Sequence, residues 1–298
     1  MREETSFPSG DGTCAAWLYR PDDGHPRARP AVVLGHGLGG TRAMRLAAYA
    51  ERFVAAGYVC LVLDYRHFGD SSGEPRQLLS VRRQLEDWRA AVAHVRGLEG
   101  VDADRVVVWG TSFGGGHAIS LAAEDHRLAA AIAQCPFTDG VASALAVPPT
   151  TSVRLTAVAV ADRVRGALGR APAYRPAAGE PGTTAFMTSH DALPGITSLA
   201  EGATVDDRLT ARSLFDVLRY APGRRASRVR CPLLVALCAS DTVAPSGRAR
   251  RQVSRAPRAE VLTYPVGHFE IYLGEPFETA VAAYLDFLRR HVPVGRAG

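Results

Sequence analysis

The residues of this sequence best suited to chemistry begin with Ser112, in the segment Gly110-Thr111-Ser112-Phe113-Gly114. An apolar, β-branched run at 106–109 precedes the segment, and a helix-compatible stretch at 116–123 follows it. A serine on such a strand–turn–helix junction is held on a strained backbone, with its hydroxyl above the edge of the sheet. The pattern therefore predicts that Ser112 is a nucleophile.

Two residues further along the chain supply the groups that a serine nucleophile needs. A serine hydroxyl requires a general base near neutral pH, and the base requires a carboxylate that orients it. Asp241 follows the apolar run 232–239, and His268 follows the strand-like run 260–264. We predict that Ser112 attacks a carbonyl carbon, that His268 takes and returns the proton, and that Asp241 orients the imidazole.

A glycine-rich turn upstream is a candidate for stabilising the developing negative charge. The segment Gly35-His36-Gly37-Leu38-Gly39-Gly40 follows the apolar run 31–34. Such a turn can aim backbone N–H groups at one point, and the residue after a nucleophilic serine can donate a second N–H there. We expect the backbone N–H groups of Leu38 and Phe113 to form an oxyanion hole, with His36 bracing the turn.

These segments together resemble the α/β-hydrolase superfamily over nearly the whole chain. Within it, the chain is similar to the bacterial branch of serine esterases that are dienelactone-hydrolase-like and X-prolyl-peptidase-like. Besides the serine turn, the resemblance rests on His36-Gly37-Leu38-Gly39-Gly40, on residues 64–76 (DYRHFGDSSGEPR) and on residues 134–140 (QCPFTDG). The chain order serine, aspartate, histidine is also that of this superfamily. The resemblance implies serine-dependent acyl chemistry and names no substrate.

The resemblance also raises an alternative for the acid. Some enzymes of this fold place the carboxylate after an earlier strand, and Asp139 follows the strand predicted at 128–133. Asp241 occupies the usual position, so we predict Asp241 as the acid and keep Asp139 as the alternative.

Strand-like and helix-like segments alternate through most of the chain. This alternation predicts an α/β fold with a doubly wound, mostly parallel sheet. The first long helix is expected to be capped by Thr41, to run to about Ala56 and to stop at Gly57.

The alternation breaks between residues 137 and 226, where prolines and glycines interrupt the chain. We predict a hydrolase core formed by residues 1–136 and 227–298 and an inserted, mainly helical cap at residues 137–226. The candidate substrate-binding residues of the cap are Tyr174, Phe186, Met187 and His190. Packing within the cap is the alternative role for the two aromatic residues and the methionine.

The residue composition and the charge of the chain limit the classes of molecule that we expect it to bind. The chain has 298 residues, of which 47% are hydrophobic, and a net charge of +5; its basic residues are all arginine, and it has neither lysine nor asparagine. We interpret this usage as the codon bias of a GC-rich genome. The arginine clusters at 224–230 and 248–258 indicate an ordinary solvated surface. The alternative interpretation is a basic face that binds an acidic carrier protein or a phosphate-bearing acyl donor. No stacking aromatic residues accompany the arginines, so we expect no nucleic acid.

The remaining residues suggest no cofactor and no metal. The five cysteines lack metal-ligand spacing and an even count, which favours a reducing compartment. The first residues contain no apolar leader, and no apolar run approaches the length of a membrane span. The sequence therefore predicts a cytoplasmic protein without membrane contact.

The most direct function for these residues is hydrolysis of a carboxylic ester, thioester or lactone through an acyl-enzyme. Two alternatives stay open. One is acyl transfer, cyclisation or carbon–carbon lysis on the same fold in a bacterial biosynthetic pathway. The other is a ligand-binding receptor without catalytic activity.

Overall fold

The computed structural model of the protein describes residues 1–22, 28–200, 202–203 and 205–295. The strands are β1 (Arg2–Ser9), β2 (Gly12–Tyr19), β3 (Arg29–Gly35), β4 (Val59–Leu63), β5 (Val101–Thr111), β6 (Ala130–Gln134), β7 (Tyr174–Pro176), β8 (Arg208–Thr210), β9 (Leu233–Cys238) and β10 (Ala259–Tyr264). The helices are α1 (Leu46–Ala55), α2 (Val81–Arg96), α3 (Phe113–Ala122), α4 (Gly140–Leu145), α5 (Pro149–Ala167), α6 (Ala192–Leu199), α7 (Leu214–Arg219), α8 (Ser246–Val253) and α9 (Gly274–His291).

Eight of the described strands form one sheet in the order β1-β2-β4-β3-β5-β6-β9-β10. The strands β4, β3, β5, β6, β9 and β10 run parallel to one another in this sheet. β2 pairs antiparallel with both β1 and β4. The predicted doubly wound, mostly parallel sheet is therefore confirmed. The chain direction across the sheet reverses between β3 and β5, and ligands of open α/β sheets bind beyond the strand ends at such a point.

Helices cover both faces of the sheet. One buried cluster joins Val33 of β3 to Trp88 of α2 and Ile119 of α3. The other joins the alternate residue Val32 of β3 to α1 and α9 through Tyr49 and Tyr284 and others. Because the inner strands β3, β4, β6 and β9 are buried on both faces, their sequences are nearly continuous apolar runs. Within the described residues, no helix combines the length and the apolar character needed to cross a bilayer.

Helix α1 begins later than the sequence predicts. Thr41 was the expected cap, but residues 42–45 form turns and the helix starts at Leu46. The reason is a distant contact, because the backbone N–H and the guanidinium of Arg42 both bond the buried Asp64 carboxylate, at 2.7 and 2.9 Å. The predicted stop at Gly57 is confirmed, and this glycine has φ 95°.

Residues 137–226 lie between β6 and β9 and contain the helices α4 to α7. The longest of these helices is α5, and a 3-10 turn at Ala211–Ser213 leads directly into α7. The short antiparallel pair of β7 and β8 was not predicted, because three-residue strands leave no periodic signal. The boundaries of the core at 1–136 and 227–298 stay predictions.

Candidate active site

The candidate nucleophile lies on the turn between β5 and α3. Ser112 has φ 54° and ψ −118°, a backbone conformation that residues with a Cβ rarely adopt. A Cβ on Gly110 would collide with the carbonyl oxygen of Gly114, and a Cβ on Gly114 would collide with the backbone at Gly35 and His36. Glycine at these positions therefore permits the sharp turn that exposes the serine hydroxyl.

Ser112, His268 and Asp241 form one hydrogen-bonded line. His268 Nε2 lies 3.0 Å from Ser112 Oγ, and His268 Nδ1 lies 2.7 Å from Asp241 Oδ2. The other carboxylate oxygen of Asp241 accepts from the backbone N–H groups of Val243 and Ala244, at 2.9 and 2.6 Å. A carboxylate fixed in this way makes Nδ1 the donor and leaves Nε2 free to accept the serine proton. The three residues that the sequence predicts together therefore lie within hydrogen-bond reach.

The environment of the imidazole favours its protonated form. The side chains of His268 and Asp241 are only 2% and 1% exposed. Burial alone opposes protonation, but the Asp241 carboxylate against Nδ1, together with the neighbouring Cys135, outweighs it and raises the pKa of His268 above its ordinary value. The imidazolium that forms when His268 Nε2 takes the proton of Ser112 would therefore be stabilised.

Asp139, the alternative acid, is occupied elsewhere. Its Oδ2 accepts from the guanidinium of Arg248 at 2.9 Å and from the amide of Gln252 at 3.1 Å. Its Oδ1 accepts from the Ala142 N–H at the start of α4, at 3.3 Å. Burial favours the protonated carboxyl, but the bonds from Arg248 and from the other donors lower the pKa of Asp139 below its ordinary value. Asp139 therefore anchors α4, and Asp241 is the carboxylate beside the imidazole.

The turn after β3 passes close to the serine. A Cβ on Gly37 would lie 3.0 Å from Ser112 Cβ, so the backbone of the turn is in near contact with the nucleophile. Leu38 and Phe113, the predicted oxyanion donors, line the same cavity as Ser112. Phe113 is also the first residue of α3, where a backbone N–H has no acceptor within the helix.

His36 is a neutral part of this turn. Burial lowers the pKa of His36 to about 4, so the ring carries no charge near neutral pH. Its Nδ1 lies 3.0 Å from the carbonyl oxygen of Gly37 and donates to it, because a carbonyl can only accept. This contact fits the predicted bracing of the turn.

Two cavities meet at the serine. Their volumes are about 310 Å³ and about 40 Å³, and both are lined by Leu38, Ser112 and Met187. Among the described residues, the lining of the larger cavity contains no aspartate, glutamate, lysine or arginine. His268 borders the smaller cavity. The serine therefore separates a large apolar space from a small space beside the base.

Residues 26–275 match the hydrolase family described as serine aminopeptidase, S33. The chain belongs to this family. The resemblance to the α/β-hydrolase superfamily, stated from the serine turn and the order of the three residues, is thereby confirmed.

Relatives of this hydrolase have different activities in their names. The chain is 50% identical over 292 residues to the quorum-quenching protein AidA of Acinetobacter baumannii (strain MDR-ZJ06), covering 98% of this chain and 95% of the relative. It is 28% identical over 297 residues to the polyketide transferase ATR5 of Stachybotrys chlorohalonatus (strain IBT 40285), covering 97% of each. The crystal structure of the α/β hydrolase GrgF from Penicillium sp. sh18 matches with a TM-score of 0.84 at 25% identity, covering 98% of this chain and 99% of that one.

Three of the four candidate substrate-binding residues of this hydrolase line the larger cavity. They are Phe186, Met187 and His190. Contrary to the prediction, Tyr174 lies outside the lining of both cavities that meet at Ser112. Its ring packs against the guanidinium of Arg208, at 5.1 Å from the ring centre, because β7 and β8 pair there.

One contact of the site has no signal in the sequence. Thr242, directly after Asp241, donates to Asp191 Oδ1 at 2.6 Å, and its Oγ1 lies 3.1 Å from Ser189 Oγ. This bond connects the loop that carries the candidate acid to the segment before α6. Residues 51 positions apart meet here, and only the folded chain shows that they do.

Proposed function

We propose that this protein is a serine hydrolase that cleaves a carboxylic ester, thioester or lactone through an acyl-enzyme. The observation that carries the proposal is the line from Asp241 through His268 to Ser112, at the point where the two cavities meet. No cofactor is needed for this chemistry, because the three side chains supply the nucleophile, the base and the orienting carboxylate.

In the acylation step, Ser112 Oγ forms a bond to the carbonyl carbon while its proton passes to His268 Nε2. The carbonyl oxygen becomes an oxyanion and accepts hydrogen bonds from the N–H groups of Leu38 and Phe113. Each such donor lowers the barrier by about 3 kcal/mol. The tetrahedral intermediate then expels the alcohol, thiol or ring oxygen, which takes the proton from Nε2. Asp241 stabilises the transient imidazolium and keeps its own negative charge.

Deacylation reverses these proton movements with water in place of the leaving group. His268 Nε2 takes a proton from water, the hydroxide oxygen bonds the acyl carbon, and Ser112 Oγ leaves with the proton. Both the leaving group and the water must reach Nε2, and His268 borders the smaller cavity. We therefore assign the acyl group to the larger cavity and the leaving group and water to the smaller one. A space of about 40 Å³ has room for water, which needs roughly 10–15 Å³.

The lining of the larger cavity supports an acyl group that is apolar and uncharged. Apolar side chains such as Phe137, Leu155, Phe186 and Leu214 form most of it, and within the part of the chain that the structure describes no carboxylate or guanidinium lines it to pair with a charge. The name of the relative AidA, a quorum-quenching protein, supports a role in quorum quenching. Cleavage of an acylated signal molecule is the step that the proposed chemistry would supply. All five cysteines are buried free thiols, which supports the predicted cytoplasmic location.

Acyl transfer is the second candidate function, because the relative ATR5 is named a polyketide transferase. The two functions differ in the group that resolves the acyl-enzyme. Incubation with an acyl thioester in water enriched in ¹⁸O distinguishes them, since hydrolysis places the label in the released acid. An acidic carrier protein as the acyl donor stays a prediction from the arginine clusters.

Substitution of the nucleophile tests the proposal. Ser112→Ala is expected to lower kcat for p-nitrophenyl butyrate by roughly 10⁴–10⁶-fold and to abolish labelling by a fluorophosphonate probe. Alanine fits the same backbone, so the thermal unfolding midpoint should change little. Ser227→Ala, at an exposed serine, is the matched control and should retain both activity and labelling. A folded Ser112→Ala protein with activity near that of the wild type would refute the assignment.

A further inference from the structure

In the described part of the chain, the large exposed aliphatic side chains are concentrated on α4, on α5 and on Leu168, the residue directly after α5. Apart from Met1, the large apolar side chains that are exposed in the described part of the chain are Val141, Leu145, Val153, Val160, Val164 and Leu168. They are between 50% and 82% exposed. The other side of α5 lines the larger cavity through Leu155. A concentration of exposed apolar side chains of this kind marks a surface that contacts another molecule.

Four of these side chains recur at the spacing of a helix–helix seam. Val153, Val160, Val164 and Leu168 are separated by seven, four and four residues, and the exposed Ala157 takes the remaining position. We call these five residues the α5 seam. A stripe this narrow is typical of a helix that packs against one other helix, and a broader apolar face is typical of a helix buried on a core.

Arginines flank the α5 seam on both sides. With about 100° of rotation per residue, Arg154 and Arg165 fall on one flank and Arg163 falls on the other. The single carboxylate of α5 is Asp162, which is buried and paired with Arg212 at 2.8 Å. The three flanking arginines are exposed, and their described contacts are with backbone carbonyls and with the Phe215 ring. The charge of Arg163 also acts on the half-buried carboxylate of Asp216. The surface around the seam is therefore positively charged.

We propose that α5 is a docking site for an acidic amphipathic helix of a partner protein. The apolar side chains of that helix would pack on the α5 seam, and its carboxylates would pair with Arg154, Arg163 and Arg165. A second copy of this chain fits poorly, because it would place arginine against arginine. The partner would contact a helix that also lines the larger cavity, so its binding bears on access of the acyl group.

A labelled, designed helical peptide with leucine at seam positions and glutamate at the flanking positions tests the proposal. Fluorescence anisotropy is expected to show saturable binding to the wild-type protein that weakens as salt is added. The double variant Val160→Ser with Val164→Ser should weaken binding by about tenfold or more, and so should Arg154→Gln with Arg163→Gln. Arg127→Gln removes an exposed arginine that pairs with Asp104 just before β6 begins, at the end of the strands away from the cavity, and should leave the affinity unchanged. A peptide with lysine in place of glutamate should not bind.

Each other outcome contradicts the proposal. Failure of the acidic peptide to bind the wild-type protein overturns it, and so does equal binding to the seam variants. A dimer in sedimentation experiments that the seam substitutions abolish would assign this surface to a second copy of the chain. Binding to anionic vesicles without binding to the peptide would assign it to lipid. Because the substituted side chains are exposed, circular dichroism should show the variants to be folded.

Discussion

Residues 137–226, which we call the cover, supply most of the lining of the larger cavity. The cover and the C-terminal edge of the sheet differ in polarity and in how their side chains are fixed. At the edge, the Asp241 carboxylate accepts from two backbone N–H groups and from His268, so its position is fixed at several points. In the cover, the described side chains facing the larger cavity are mostly apolar, and none of them is a carboxylate or a guanidinium. We therefore expect the edge to set the reaction and the cover to set which acyl group reacts.

The largest expected effect is the difference in activity between substitutions of two aspartates that follow neighbouring strands, Asp241 and Asp139. Asp241→Asn should lower kcat/KM by about 10⁴-fold, because an amide no longer holds the imidazole in the productive tautomer. Asp139→Asn keeps a good helix cap and loses an ion pair with a half-exposed arginine. The Nδ2 of a buried asparagine would face the donors of Arg248 and Gln252, which costs about 1–3 kcal/mol of stability. Neither of these donors bonds His268 or Ser112, so kcat/KM should change by less than tenfold. Steady-state kinetics with one p-nitrophenyl ester compares the two variants directly.

If Asp139→Asn were the more damaging change, the edge would use the earlier carboxylate and the assignment of the acid would be wrong. Thermal unfolding of both variants is the control, since a loss of folded protein would lower both activities without regard to mechanism.

The second effect concerns the cover and should be intermediate in size. Phe186→Ala enlarges the larger cavity, so the ratio of kcat/KM between branched and straight acyl esters should rise by roughly 10–100-fold. Tyr174→Ala removes an aromatic ring outside that cavity and should leave the ratio unchanged. Both variants should still be labelled by a fluorophosphonate at Ser112. If Phe186→Ala slowed all esters equally, the cover would act only as a lid.

The smallest effect is a displacement along the pH axis. The pKa of His268 is raised above its ordinary value of 6.5, and a protonated imidazole cannot accept the serine proton. The value of kcat/KM should therefore fall as the pH decreases through a midpoint that lies above 6.5. Asp241→Asn removes the charge that raises this pKa and should lower the midpoint, whereas Asp139→Asn should not. A wild-type midpoint at or below 6.5 would contradict the electrostatic account of the site.

The elements that carry Ser112, Asp241 and His268 could be predicted because each belongs to a local pattern. An apolar strand followed by a turn is visible in a short window of sequence, and a parallel sheet brings such strand ends to one edge. The distances between the three side chains follow from the way in which the sheet brings the strand ends together, and no single segment of the sequence determines them.

The features that could not be predicted depend on contacts between distant segments. The late start of α1 follows from Arg42 bonding Asp64, although Thr41 alone is a good helix cap. Tyr174 was placed in the cavity by its residue type, and pairing of β7 with β8 turns it toward Arg208. The sequence of α5 contains the seam residues, but only the packed structure shows that they are exposed.

The glycine contacts around the serine turn have a consequence for engineering this enzyme. Gly110, Gly114 and the backbone of β3 touch without intervening side chains, so any larger residue there would move Ser112 and the Leu38 turn together. A mutant library aimed at these positions would mainly return inactive clones. Within residues 137–226, the Phe137 N–H donates to the carbonyl oxygen of Ser112 at 2.8 Å, and the Tyr220 ring packs on Phe113. Directed evolution toward a new acyl group should therefore concentrate its diversity on other cavity-lining residues of this segment, such as Phe186 and Met187, and leave Phe137, Tyr220 and the turn untouched.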